Sequence, residues 1–207
     1  TTDALNAAVS ANFLQRVGSL TVRSTLRGLM ERETNQLTTA EGENLAVPGV
    51  RSLDNATQRF VESSLEEIRT NSYIASLGLD WGGRYIVDAL VRQDGSSLFG
   101  PEERWNTYYR ASASWRMGEE TWFPLKGVFT EFKPRFSRGT AGGRPDFADQ
   151  FETLAFLQGG GLQKQTLGNK FLRPELATET EVGLDMIVRD RYSLQLSYAR
   201  NRVRDQL

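Results

Sequence analysis

The stretch Trp105-Asn106-Thr107-Tyr108-Tyr109-Arg110-Ala111-Ser112-Ala113-Ser114-Trp115-Arg116-Met117 divides by parity. Its odd positions are Trp, Thr, Tyr, Ala, Ala, Trp and Met; its even positions are Asn, Tyr, Arg, Ser, Ser and Arg. Successive side chains of a β-strand point to opposite faces. The run therefore reads as a strand with one apolar, aromatic-ended face and one face of charges and hydroxyls.

The period of two recurs on both sides of this stretch. Tyr73, Ala75, Leu77, Leu79 and Trp81 oppose Ser72, Ser76, Gly78 and Asp80. Beyond a Gly82-Gly83 turn, Tyr85, Val87, Ala89 and Val91 oppose Arg84, Asp88 and Arg92. Val128, Phe132, Pro134 and Phe136 oppose Glu131, Lys133, Arg135 and Ser137. Val182, Leu184, Met186 and Val188 oppose Glu181, Gly183, Asp185 and Arg189, and Tyr192, Leu194, Leu196 and Tyr198 oppose Ser193, Gln195 and Ser197. Near the start, Leu20, Val22, Leu26 and Met30 oppose Thr21, Arg23, Thr25 and Arg27. A weaker eighth strand spans Ala8 to Leu14, with an amphipathic helix from Asp3 as its competitor. Pro134 removes a ladder donor in mid-strand, so a bulge is expected there.

The connections alternate in length. Short turns fall at Gln15–Ser19, Gly82–Gly83 and Arg189–Arg191, with a medium one at Gly118–Gly127. Long polar segments fall at Glu31–Glu66, Gln93–Arg104 and Gly139–Thr180. Short turns at one end and long loops at the other are the plan of an outer-membrane barrel. Its strands need only about 9–11 residues each, half of them apolar, so the chain can be polar on average and still span a bilayer. The apolar faces also begin or end in Trp or Tyr, as membrane girdles do.

Composition narrows the chemistry. The 207 residues carry 25 basic and 26 acidic side chains, so no basic footprint marks a nucleic-acid partner. With no cysteine and no histidine, disulfides, thiolate metal sites and Ser-His-Asp or Cys-His catalysis are excluded. No cofactor is implied, and an enzyme barrel is disfavoured because such barrels usually rely on histidine.

Several blocks in order carry a resemblance. Arg92-Gln93-Asp94-Gly95-Ser96-Ser97-Leu98-Phe99-Gly100-Pro101, then Tyr108 to Arg116, then Phe136-Ser137-Arg138-Gly139-Thr140-Ala141-Gly142 are followed by Thr166-Leu167-Gly168-Asn169 and Leu172-Arg173-Pro174-Glu175-Leu176. Thr178-Glu179-Thr180-Glu181-Val182-Gly183-Leu184-Asp185 completes the set. Together they resemble the SusC/RagA-like family of TonB-dependent outer-membrane transporters, from about Ile68 to Leu207 and only weakly before. The resemblance implies a wide barrel, of about twenty strands, around an amino-terminal plug that contacts the TonB system. It further implies outer-membrane lipid as surroundings, a SusD-like lipoprotein lid in many members, and import of oligosaccharides or peptides.

The expected fold is thus all-β: an antiparallel meander forming part of a large transmembrane barrel, with long extracellular loops and short periplasmic turns. Residues 1–207 are expected to be a slice of a longer polypeptide, with seven or eight strands and without the plug. The rival reading is a soluble or surface-attached β domain that binds glycan or protein through its loops.

Candidate lumen-facing residues are Arg84, Asp88, Arg92, Arg110, Glu131, Lys133 and Arg135. Family-motif loop candidates are Asp94, Gly95, Ser96, Ser97, Gly168, Asn169, Pro174, Glu175, Glu179 and Glu181. Asp94-Gly95 reads as a turn closing a strand, and Gly139, Gly142 and Gly143 as permissive positions where a strand leaves the wall. Arg200, Arg202 and Arg204 continue the outward face past Tyr198 and are lipopolysaccharide-contact candidates, against a solvated strand tip. Trp122-Phe123-Pro124-Leu125 is an apolar turn expected to dip into the interface at the periplasmic rim, with a soluble core as the competing reading. Three sites fit bland readings better: Glu66-Glu67, Glu102-Glu103 and Glu119-Glu120 as solvated charges, Gly159-Gly160-Gly161 as a loop tip, and Glu175, Glu179 and Glu181 as ion-pair partners rather than calcium ligands.

Overall fold

A computed structural model of the chain describes residues 1–100, 102–143, 153–156, 160–166, 169, 171 and 173–204. The strands among them are β1 (Thr2–Val17), β2 (Leu20–Leu45), β3 (Ala56–Trp81), β4 (Tyr85–Ser96), β5 (Trp105–Trp115), β6 (Phe129–Gly142), β7 (Thr153–Phe156), β8 (Leu162–Thr166), β9 (Leu176–Val188) and β10 (Tyr192–Arg204). Eight form one antiparallel sheet in the order β1-β2-β3-β4-β5-β6-β9-β10, while β7 and β8 make a separate hairpin within the connection from β6 to β9. No ladder joins β1 to β10 among the described residues, so the sheet is an open arc.

The amino-terminal segment is strand, not helix. β1 pairs with β2 from Thr2↔Asn35 to Val17↔Leu20. Val9, Ala11 and Phe13 share one face against Ser10 and Asn12, a period that suits pairing and would scatter apolar groups around a helix.

The segment expected as a long loop from Glu31 to Glu66 is mostly strand. β2 and β3 are 26 residues each, and only 46–55 connects them. Their outer portions, Leu37↔Ser64 to Leu45↔Ala56, pair with each other alone. The connection is tied by Asn55, whose side-chain amide donates to the Val47 and Val50 carbonyls at 2.8 and 2.9 Å. Backbone ladders do not depend on side-chain alternation, so mixed polar residues can hold a ribbon that no hydrophobic pattern announces. For the same reason Gln93–Ser96, Gly139–Gly142 and Leu176–Thr180 lie in strands.

Asp94-Gly95 is likewise not a turn: the two residues pair with Asn106 and Trp105 inside the β4–β5 ladder. Gly139 and Gly142 belong to β6 and lack the positive φ that Gly82 (62°) and Gly83 (68°) use to reverse the chain between β3 and β4. Pro134 pairs with Leu184, whereas the β5–β6 ladder begins only at Arg135. Its missing donor costs that ladder no rung, and the irregularity falls instead between Phe129 and Glu131.

The turns joining β1 to β2, β3 to β4, β5 to β6 and β9 to β10 lie at one end of the sheet, and the longer connections lie at the other. Glycine and proline aside, the buried apolar residues among those described are Ala56, Leu98, Phe99, Tyr108 and Phe123, far short of the core a soluble domain of this length requires.

Candidate functional site

Cross-strand register assembles the alternating residues into two continuous surfaces. One carries the rows Trp81↔Tyr85↔Trp115, Leu77↔Ala89↔Ala111 and Ala113↔Phe136↔Val182↔Tyr198. Most of its apolar side chains are exposed, Val91 at 51% among them, and others such as Leu79, Trp115 and Leu184 are half-buried. Aromatics bound it at both ends. Trp81, Tyr85 and Trp115 form a chain of rings with centroids 5.6 and 5.9 Å apart, and Tyr73 stacks on Trp105 at 6.0 Å. Trp105 and Trp115 terminate an 11-residue strand. At ~3.3 Å per residue that is ~33 Å along the strand and ~25 Å along the normal at ~40° tilt, the height of a barrel's apolar band.

The opposite surface is polar and more crowded, with Ser72 fully buried at 0% exposure. Ion pairs tie its strands together. Arg135 of β6 reaches Glu181 at 2.5 Å and Asp185 at 3.3 Å on β9, and also donates to the Ser197 hydroxyl on β10. Lys133 meets Asp185 at 3.0 Å, and Glu131 lies 3.8 Å from Arg116 and 3.9 Å from Lys133. Arg92 pairs with Asp94 at 2.6 Å and donates to Ser72 Oγ at 3.3 Å. Asp88 and Arg23 lie over Gly78, where an added Cβ would come within 2.8 Å of Asp88 Oδ1 and 3.5 Å of Arg23 Nε. These pairs are partly solvated and each contributes little alone. Their effect is to leave a wet wall whose charges are matched across neighbouring strands.

Two of the lumen candidates differ from the rest. Arg110 shares this face with Ser112 but is exposed and makes no ion pair among the described residues. Arg84 stands in the turn before β4 and pairs with Glu120 at 3.1 Å instead of with a wall residue.

Near the long-connection end the polar wall deepens into a cleft of about 210 Å³ lined by Thr70, Arg92, Asp94, Ser96, Phe99 and Tyr108 among others. The motif after β4 builds it. Ser97 exchanges hydrogen bonds with the backbone of Arg69, each 3.0 Å, and Ser96 Oγ accepts from Leu98 N at 3.2 Å. These bonds turn Leu98 and Phe99 inward, where both are buried. On the outer face the Trp105 ring lies over Gly95, with atoms 2.8 Å from where a Cβ would stand.

Glu120 is the residue that sequence reasoning missed. It reads as a solvated turn charge but is only 6% exposed. Its carboxylate accepts from Tyr85 Oη at 2.5 Å, Trp115 Nε1 at 3.2 Å and Arg84 at 3.1 Å. The Tyr85 hydroxyl, then the Trp115 indole, with Arg84 beside them, hold the carboxyl below the usual glutamate range. The available signal was the two strand-ending aromatics, each bringing a donor to the same rim. The Trp122 ring then lies against Trp115 with centroids 5.8 Å apart and planes tilted by 53°, while remaining 60% exposed, and Phe123 is buried against Phe132.

Of the other carboxylates, Glu67 pairs with both Arg32 and Arg69, and Glu103 meets Arg173 at 2.7 Å. Glu66 and Glu67 lie on opposite faces of β3. Glu175, Glu179 and Glu181 are not gathered into a metal site; among the described residues no such acidic group is found. Pro174 is buried just before β9, and Asn169 Oδ1 accepts from Phe171 N at 3.0 Å. Gly168 and Gly159 lie outside the described residues. Arg200, Arg202 and Arg204 are exposed on the outer half of β10.

Residues 6–207 match the family model described as TonB dependent receptor-like, beta-barrel. TonB-dependent receptor P39 of Formosa agariphila is 28% identical over 123 residues, covering 56% of this chain and 12% of its own length. TonB-dependent receptor SusC of Bacteroides thetaiotaomicron is 30% identical over 83 residues, 40% of this chain and 8% of its own. The structure of the RagAB peptide transporter superposes with a TM-score of 0.84 at 16% identity, covering 100% of this chain and 24% of that one. The siderophore receptor PirA from Pseudomonas aeruginosa gives 0.59 at 15% identity, covering 98% of this chain and 32% of that one.

Proposed function

The chain belongs to the TonB-dependent receptor-like β-barrel family, outer-membrane transporters rather than enzymes, and we propose that it is one arc of the wall of a SusC/RagA-like importer of an oligosaccharide or peptide. The observation that carries this reading is the division of the sheet between its aromatic ends: exposed aliphatic side chains on one face, and the ion-pair network of Arg92, Lys133 and Arg135 on the other. A soluble domain needs the reverse, with Val87, Val91, Leu77 and Phe136 packed inside; all are exposed.

In this proposal the remaining strands and the plug belong to other parts of a longer polypeptide, since the chain spans only 12% and 8% of the lengths of the two curated relatives described above. Solute arrives at the long-connection end and meets the Arg92–Asp94 cleft. The plug, driven through the TonB system, then opens a path along the polar wall. The matched charges of Lys133, Arg135, Glu181 and Asp185 keep that path wet without fixing the solute, which a transporter must also release. A SusD-like lipoprotein lid would close over the long connections.

The test is uptake by cells carrying the full-length protein, with labelled oligosaccharides and labelled peptides supplied separately. Uptake of one class, lost on deletion of the protein, is the expected result. Unchanged uptake of both classes, or a purified protein that stays monomeric without detergent, would overturn the proposal.

A further inference from the structure

Besides Arg59, which donates to the Ala56 and Asp54 carbonyls, the arginines of the outer strand faces fall into two groups. Arg32 of β2 and Arg69 of β3 occupy the same row, and both are satisfied by Glu67. Arg138 of β6 and Arg200, Arg202 and Arg204 of β10 have no carboxylate partner among the described residues. Register places them together: Arg138↔Thr180↔Arg200 forms one row, Thr140↔Thr178↔Arg202 the next, and Gly142↔Leu176↔Arg204 the third. No acidic residue stands on this face of the three strands, whereas the cations on the opposite face of β6, Lys133 and Arg135, are both paired.

This cationic patch begins one row beyond Phe136↔Val182↔Tyr198, where the apolar band ends, and it lies toward the long-connection, extracellular end. Adjacent strands are ~4.8 Å apart, so Arg138 and Arg200 stand ~10 Å apart with the Thr180 hydroxyl between them. Guanidinium forks grip phosphate oxygens bidentately, and the outer leaflet of this membrane presents phosphorylated glycolipid at that depth.

We propose that Arg138, Arg200, Arg202 and Arg204, with the Thr178 and Thr180 hydroxyls, bind the phosphate groups of a lipid A-type anionic glycolipid in the outer leaflet. The proposal rests on the outer-membrane reading of the chain. The patch would anchor the wall to its surrounding lipid and fix its height in the bilayer.

The test uses the full-length protein in detergent, with bound lipid read by native mass spectrometry. Probes are bisphosphorylated lipid A, enzymatically dephosphorylated lipid A and inorganic phosphate. Expected are retention of the bisphosphorylated form only, weak competition by inorganic phosphate, and a roughly tenfold or greater loss of retention, worth about 1.4 kcal/mol per decade, when all four arginines become Gln. R138Q/R200Q and R202Q/R204Q serve if the fourfold change does not fold, while R32Q should retain lipid A. Equal binding of dephosphorylated lipid A, full displacement by inorganic phosphate, or undiminished retention in folded variants overturns the site. Heat-modifiable gel mobility reports the barrel separately: its absence in the unmodified protein brings down the membrane reading itself.

Discussion

The Tyr85 hydroxyl donates a 2.5 Å hydrogen bond to the Glu120 carboxylate, joining the first residue of β4 to the connection between β5 and β6. Trp115 and Arg84 donate to the same carboxylate, so three donors at the short-turn rim converge on one acceptor that water barely reaches.

That arrangement makes rim stability depend on pH. Glu120 titrates lower in the folded protein than its ordinary value of 4.5. Its contribution is therefore fully present above 4.5 and is lost as pH falls through the depressed native value. Glu120→Gln should lower the temperature of the heat-modifiable gel transition near neutrality. The gap between variant and wild type should close on acidification below 4.5; a gap unchanged at low pH would show that the charge is not what matters.

Ala89 and Ser112 test the assignment of faces. Ala89 sits mid-band on the outer surface between Leu77 and Ala111, and Ser112 sits on the polar wall opposite Asp88. Ala89→Arg should cost about 2–4 kcal/mol of barrel stability, the range for a cation at the bilayer midplane. Ser112→Arg should fold normally. Denaturant unfolding in lipid vesicles compares the two, and equal penalties would contradict the assignment.

Gly95 and Gly78 both lie beneath larger side chains, but what covers them differs. The Trp105 ring over Gly95 is rigid and stacked on Tyr73, whereas Asp88 over Gly78 can swing its carboxylate aside. Gly95→Ala should cost about 1–3 kcal/mol, as overpacking does, and should shift Trp105 emission. Gly78→Ala should cost clearly less in the same unfolding experiment.

Arg135 and Arg110 test the separation of structural charge from the solute-facing charge proposed for the wall. Arg135 bridges Glu181, Asp185 and Ser197, so Arg135→Ala should lower stability by roughly 1 kcal/mol, the scale of a partly solvated pair network. Arg110→Ala should leave stability unchanged and alter uptake kinetics alone. A stability loss in Arg110→Ala matching that of Arg135→Ala would remove the distinction.

Alternation in Tyr73–Trp81, Tyr85–Arg92 and Trp105–Met117 was enough to determine strands, faces, the aromatic ends and the short turns, because one face needs apolar groups and the other needs charge. The β2–β3 ribbon was not legible, because its ladder is made by backbone groups common to every residue. The partners of Arg135 and Glu120, and the gathering of Arg138 with Arg200, were decided only by tertiary structure. Those contacts join residues 46, 35 and 62 positions apart in the chain, and no local pattern encodes which strand lies beside which.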